Sequence, residues 1–272
     1  MAATAGSSGS GFPERVREMR VLLYGMQSSG ASLVTYFLGQ APRSVALIDV
    51  WARHLTPPLP TGDAAAVIAK CVITKDFTFE EHVRSFQPDR TILVLRHPAQ
   101  NYESLRRKGY IEEGGAIHAK FALLETAFLG RDRFDLTLTY EDFVRYPRET
   151  VERLRGIGVA AELDFYRFRR SVGRIQSFNF AHDPWCRERF GFGWGYGNVQ
   201  GTQLNPAKLY RTPSPEAEES ARRLCPSVCS FYDAHLPDLG STAPAASLQS
   251  LPADGWRSYI DRVLPRRRAG ST

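Results

Sequence analysis

Gly25 and Gly30 stand with four residues between them in the run Gly25-Met26-Gln27-Ser28-Ser29-Gly30-Ala31-Ser32. The apolar stretch Val21–Tyr24 precedes this run and Leu33–Leu38 follows it. A strand, a Gly/Ser loop and a helix in that order place backbone N–H groups at a helix N-terminus, with hydroxyls beside them. That arrangement is suited to holding an anion. The triphosphate-binding version of such a loop carries Lys after its second glycine. Here Ala31 occupies that place, so the point charge that reaches β- and γ-phosphates is missing. The loop is predicted to bind a phosphate, but not the triphosphate of ATP or GTP.

A second constellation follows another apolar run. Thr91–Leu95 has the length and continuity of a parallel strand covered on both faces. It ends in Arg96-His97-Pro98, and Ser104 follows eight residues after Arg96. Arginine at the C-terminal end of such a strand sits where open α/β sheets bind ligands. Pro98 opens a helix at its first turn, which places Ser104 about two turns along. A guanidinium fork and a hydroxyl can then share one phosphate.

With both motifs in view, the chain resembles the sulfotransferases that use 3′-phosphoadenosine-5′-phosphosulfate (PAPS). In that family a Gly/Ser loop holds the 5′-phosphosulfate and an Arg-x-Pro-x-x-x-x-x-Ser signature holds the 3′-phosphate. Gly25–Leu33 is similar to the first element, and Arg96, Pro98 and Ser104 match the second. Thr139-Tyr140-Glu141-Asp142-Phe143 resembles the family's Tyr-Glu-Asp segment, followed by Tyr146-Pro147. The resemblance spans roughly residues 18–235 as an ordered series. It implies an α/β, P-loop-like three-layer domain with a central, mostly parallel sheet flanked by helices. It also implies a cofactor site made of Gln27, Ser28, Ser29, Gly30, Ala31, Ser32, Arg96, Ser104 and Tyr140, with Gly197 and Asn198 from a late loop. The expected donor is PAPS, leaving 3′-phosphoadenosine-5′-phosphate, with no metal.

The departures from the family pattern shape the catalytic assignment. Many members carry Lys or Arg in the phosphosulfate loop, and this loop has none. A cation must come from elsewhere to stabilise the leaving phosphate. Lys75, at the end of the strand-like run Val67–Thr74, is the candidate, alongside the alternative of a surface lysine capping a strand. A general base is also required. Asp49, after the strand-like Val45–Ile48, matches the acidic position of carbohydrate-directed members, and an apolar neighbour such as Trp51 would raise its pKa usefully. Asp49 as a loop cap is the alternative, and Asp76 and His54 are the other candidate bases.

Composition agrees. The 272 residues are 43% hydrophobic and 24% charged, as in ordinary globular proteins. A net charge of +6 favours anionic ligands. No zinc knuckle, RNA-recognition aromatic pair or basic zipper is present, so nucleic acid is not expected as a partner. Cys71, Cys186, Cys225 and Cys229 form neither a disulfide framework nor a zinc pattern. No run is long and apolar enough for a membrane span, and the N-terminus lacks the features of a signal peptide, so a cytoplasmic enzyme is expected. The acceptor is expected to be the hydroxyl of a small molecule or glycan, and the oligomeric state is open.

Alternation of apolar runs predicts strands ending near residues 50 and 74, a short helix over Phe79–Phe86, a strand at 91–95, a helix from Pro98, a helix over Ile111–Leu129 and a strand over Phe134–Thr139. Ser214–His235 is predicted as one closing helix. Residues 1–17 and 236–272 have the composition of tails. Residues 181–205 alternate glycine with aromatics, suited either to stacking on a ligand or sugar ring or to a structural turn. Two other function classes stay open: a P-loop kinase or nucleotide hydrolase, and a sulfotransferase-like binding protein without catalysis.

Overall fold

A computed structural model describes residues 18–48, 52, 55–56, 64–110, 116–168 and 212–235. Five strands form one sheet: β1 (Met19–Gly25), β2 (Ser44–Ile48), β3 (Ala66–Val72), β4 (Arg90–Leu95) and β5 (Leu136–Thr139). All pairings are parallel and the order is β2-β3-β1-β4-β5. The expected three-layer α/β architecture is therefore the one observed.

Parallel strands buried on both sides must be apolar in both alternating sets, and β1 shows this directly. Val21 and Leu23 face one layer, Leu22 and Tyr24 the other. The first layer contains α1 (Ala31–Leu38), α5 (Tyr140–Arg145) and α6 (Pro147–Gly156). The second contains α2 (Phe79–Phe86), α3 (Pro98–Arg107), α4 (Ile117–Leu129), α7 (Pro215–Leu224) and α8 (Pro226–His235). From β1 the chain leaves through α1 toward β2, whereas from β4 it leaves through α3 toward β5. The connections diverge to opposite faces, which opens a crevice at the C-terminal ends of β1 and β4. The two motifs read from the sequence meet there.

Helix starts follow local chemistry. Thr78 and Glu81 form a capping box on α2. Pro98, Pro147 and Pro215 each sit in a first turn. Three expected boundaries change. The closing helix is two helices, because Pro226 cannot donate a helical hydrogen bond and disfavours helical geometry at Cys225, whose φ/ψ is −144°/65°. The start of α8 is met from a distance: Glu125 accepts from Ser227 N at 2.9 Å and Val228 N at 3.3 Å. α4 begins at Ile117, residues 111–115 lying outside the described set. β5 begins at Leu136, after a 3₁₀ turn at Arg131–Arg133 and a buried Phe134.

Candidate functional site

Two glycines permit the shape of the loop between β1 and α1. A Cβ on Gly25 would come 2.7 Å from the Val94 carbonyl oxygen, so glycine is what lets β1 and β4 run this close. Gly30 has φ of 91°, and a Cβ there would lie 2.4 Å from Cδ2 of Tyr140. Ser28 also takes positive φ, at 63°. The turn delivers the chain into α1 with no side-chain N-cap and no acidic residue in the first turn. The positive end of the helix dipole is left unneutralised by its own sequence.

Four side chains from the opposite layer hold this loop. Asn101 Nδ2 donates to the Gln27 carbonyl at 2.8 Å, and Arg96 Nη1 to the Ser28 carbonyl at 3.1 Å. Lys120 Nζ donates to Gln27 Oε1 and to the Tyr110 carbonyl, each at 3.0 Å. Lys108 Nζ donates to Ser28 Oγ at 3.0 Å. The loop that carries no cation of its own thus receives several from elsewhere.

Arg96 is only 8% exposed, and its Nε, like Asn101 Oδ1, has no hydrogen-bond partner among the described residues. A buried guanidinium with an unmet N–H is costly unless a ligand completes it. Its guanidinium carbon lies 5.3 Å from the centroid of the Tyr140 ring, within cation–π range. Tyr140 therefore touches both halves of the site: the arginine and the space that Gly30 leaves. Beside Arg96 opens a cleft of about 210 Å³, lined by Arg96, Gln100, Glu103, Arg107, Thr212 and Pro213. Ser214 Oγ donates to Glu103 Oε2 at 3.1 Å across its rim.

The turn that carries Arg96 is anchored from below. Glu141 is fully buried and accepts from His97 N through Oε1 and from the Tyr232 hydroxyl through Oε2, each at 2.9 Å. Burial raises the Glu141 pKa, against the opposing effects of the His97 N–H, Arg96 and Tyr232. The His97 ring packs edge-on to Tyr232 at 5.3 Å. Burial pushes its pKa down to about 4, with Asp233 opposing and Arg222 and Arg96 assisting.

A depressed histidine pKa stabilises the fold above the unfolded value, and this contribution is lost as pH falls. For His97 the window runs from 6.5 down to about 4. The shift bounds the loss at roughly 3 kcal/mol. His97→Gln should flatten the acid-side fall in unfolding free energy across that window, leaving the contributions of His82, which burial also lowers, and of Glu141, which burial raises and which acts with opposite sign. Denaturant titrations at several pH values check this; an unchanged slope in the variant would assign the acid sensitivity elsewhere.

The structure brings Gln27, Ser28, Ser29, Gly30, Ala31, Arg96 and Tyr140 to one crevice, with Ser32 half-buried in the first turn of α1. Ser104 is buried on α3, while Asn101 and Lys108 of the same segment make the loop contacts. β3 stops at Val72, so Lys75 and Asp76 lie exposed in the bend before α2, where Asp76 N donates to Thr74 Oγ1 at 3.3 Å. Asp49, His54, Gly197 and Asn198 lie outside the described residues. Asn101, Lys108 and Lys120 were not singled out from the sequence, and Glu141 was read there only as part of the Tyr-Glu-Asp segment. Lys120 did leave a signal, a charge set within the buried stripe Ile117, Phe121, Leu124 and Phe128. A lysine placed there needs an internal partner.

Comparison of the chain with protein-family models and with curated proteins returned no match. Among the described residues, no group of three or more His, Cys, Asp or Glu is placed to hold a metal ion. No helix among them is long and apolar enough to cross a membrane.

Proposed function

We propose that the chain is a PAPS-dependent sulfotransferase acting on a hydroxyl acceptor, with carbohydrate or glycosylated small molecules favoured. The reading rests on the motif order in the sequence. The single structural observation that supports it best is buried Arg96, with one unmet N–H, bonded to the back of a glycine loop that has no lysine of its own. In this reading Arg96 and Ser104 bind the 3′-phosphate. The loop N–H groups and the start of α1 receive the 5′-phosphosulfate.

The acceptor oxygen attacks sulfur in line as the bond from sulfur to the 5′-phosphate oxygen breaks. The acceptor proton passes to a base, and negative charge grows on the departing phosphate. Asp49 is the proposed base, with Asp76 and His54 as the other candidates. Lys75 was the expected cation for the departing charge and lies exposed in the bend after β3; Lys108 and Lys120, which hydrogen-bond the loop, are further candidates for that role. A cytoplasmic location belongs to the same reading.

A nucleotide kinase or hydrolase is the second reading, favoured by the lysines that reach the loop from α3 and α4. It needs an acidic residue near a strand end to hold magnesium. The acid after β5, Glu141, is already engaged by His97 N and Tyr232. Thermal denaturation with 3′-phosphoadenosine-5′-phosphate, against ATP with magnesium, separates the two readings, since a ligand bound only by the folded state raises its stability. Stabilisation by the bisphosphate alone is expected; stabilisation by ATP alone would overturn the sulfotransferase reading. Arg96→Ala should then cost about 1.5–3 kcal/mol of bisphosphate binding. Adenosine 5′-phosphate, which lacks the 3′-phosphate, should lose far less in calorimetric titration, only what the Arg96 contact with the Ser28 carbonyl contributes to the loop. Equal losses for both would remove Arg96 from the 3′-phosphate.

A further inference from the structure

Lys108 closes α3 and reaches back over the crevice to Ser28 Oγ at 3.0 Å. Its situation differs from that of Lys120. Lys120 is 1% exposed and divides its ammonium between Gln27 Oε1 and the Tyr110 carbonyl, so it acts as an internal strut. Lys108 stands at the surface, and Ser28 Oγ is its hydrogen-bond partner among the described residues. An ammonium has three donors, so Lys108 has N–H groups to spare at the mouth of the loop. The charges that act on it most are Arg96, Lys70 and Arg107, all cations. Glu103, on the same helix, accepts from Ser214, and Glu141, behind Arg96, accepts from His97 N and Tyr232. Cations gathered over a helix start without an acidic first turn form a site short of one anion.

We propose that Lys108 is the specificity-determining cation for the 5′-anion of the nucleotide, supplied to the loop from the end of α3 in place of the lysine that Ala31 displaces. The inference rests on the sulfotransferase reading above and assigns a residue which that reading left open. Ser28 orients the ammonium, and a 5′-phosphate or phosphosulfate seated on the loop accepts from it. Arg96, on the other side of Ser28, is assigned the 3′-phosphate of the same ligand, so the two cations should be separable by the phosphate each one recognises.

The test is calorimetric titration with 3′-phosphoadenosine-5′-phosphate and with adenosine 3′-phosphate, which lacks the 5′-group. Wild-type protein should prefer the bisphosphate. Lys108→Ala should weaken bisphosphate binding by about tenfold or more, the scale of one charge-assisted contact, and leave adenosine 3′-phosphate within about twofold. Lys108→Arg should restore much of the preference. Arg106→Ala is the control. It removes the same charge two residues away, from a side chain paired with Glu216, and should keep the preference. If Lys108→Ala retains the preference, or Arg106→Ala loses it equally, Lys108 does not read the 5′-anion. If the wild type binds neither nucleotide, the sulfotransferase reading itself fails and this assignment falls with it.

Discussion

Glu141→Ala is expected to lower the stability of the protein by about 3–5 kcal/mol, while Glu141→Gln stays within about 1 kcal/mol at neutral pH. Alanine strands two buried donors, His97 N–H and the Tyr232 hydroxyl, that the carboxylate now satisfies. Glutamine keeps both contacts. Its carbonyl accepts from His97 N–H, and its amide donates to the Tyr232 oxygen, which can reverse its role. Urea denaturation of both variants decides the matter, and equal losses would show that volume alone is at stake.

A pH test separates charge from shape. A carboxyl raised by burial favours the fold below its unfolded value of 4.5, and that contribution is lost as pH rises through the folded pKa. Glu141→Gln should therefore gain on the wild type as pH climbs from 4.5. The site should respond too, because His97 N fixes the turn that carries Arg96. Glu141→Ala should weaken anion binding even where the protein is still folded.

Gly30→Ala should cost between about 2 and 5 kcal/mol and abolish ligand-induced stabilisation. Two effects combine. Left-handed backbone disfavours any Cβ by about 1–2 kcal/mol, and φ at Gly30 is 91°. The new methyl would also meet the Tyr140 ring at 2.4 Å, an overpacking cost of about 1–3 kcal/mol. Tyr140→Ala combined with Gly30→Ala should recover the second part and not the first. A coupling near zero in this double-mutant cycle would mean that the ring moves aside at no cost. Thermal melts with and without nucleotide read both consequences.

How far the sequence carried the reading depends on the range of each feature. The Gly25–Ser32 loop, β4 with Arg96, and the Pro98 helix start were legible, because each is specified by residues contiguous in the chain. The alternation of strands with helices likewise foretold the parallel sheet. Local pattern gave less warning where apolar spacing runs through a backbone interruption. Ser214–His235 reads as one periodic stretch, yet the ring of Pro226 divides it. Val67–Thr74 is continuously strand-like in sequence, whereas the ladder with β1 ends at Val72 and Lys75 lies exposed in the bend that follows.

The amino-acid sequence by itself determined the fold class, the glycine loop with no cation, and the arginine at the next strand end. All three lie in short windows where side-chain type and spacing act directly. Only the tertiary structure decided which charges serve that loop. Lys108 is 80 residues from Ser28, and Lys120 is 93 residues from Gln27. The burial of Glu141 likewise depends on Tyr232, 91 residues away. These meetings follow from β4 pairing beside β1 and from α3, α4 and α8 packing over one face of the sheet. Strand order is a property of the whole packed core, set by long-range burial, and no local window of residues encodes it.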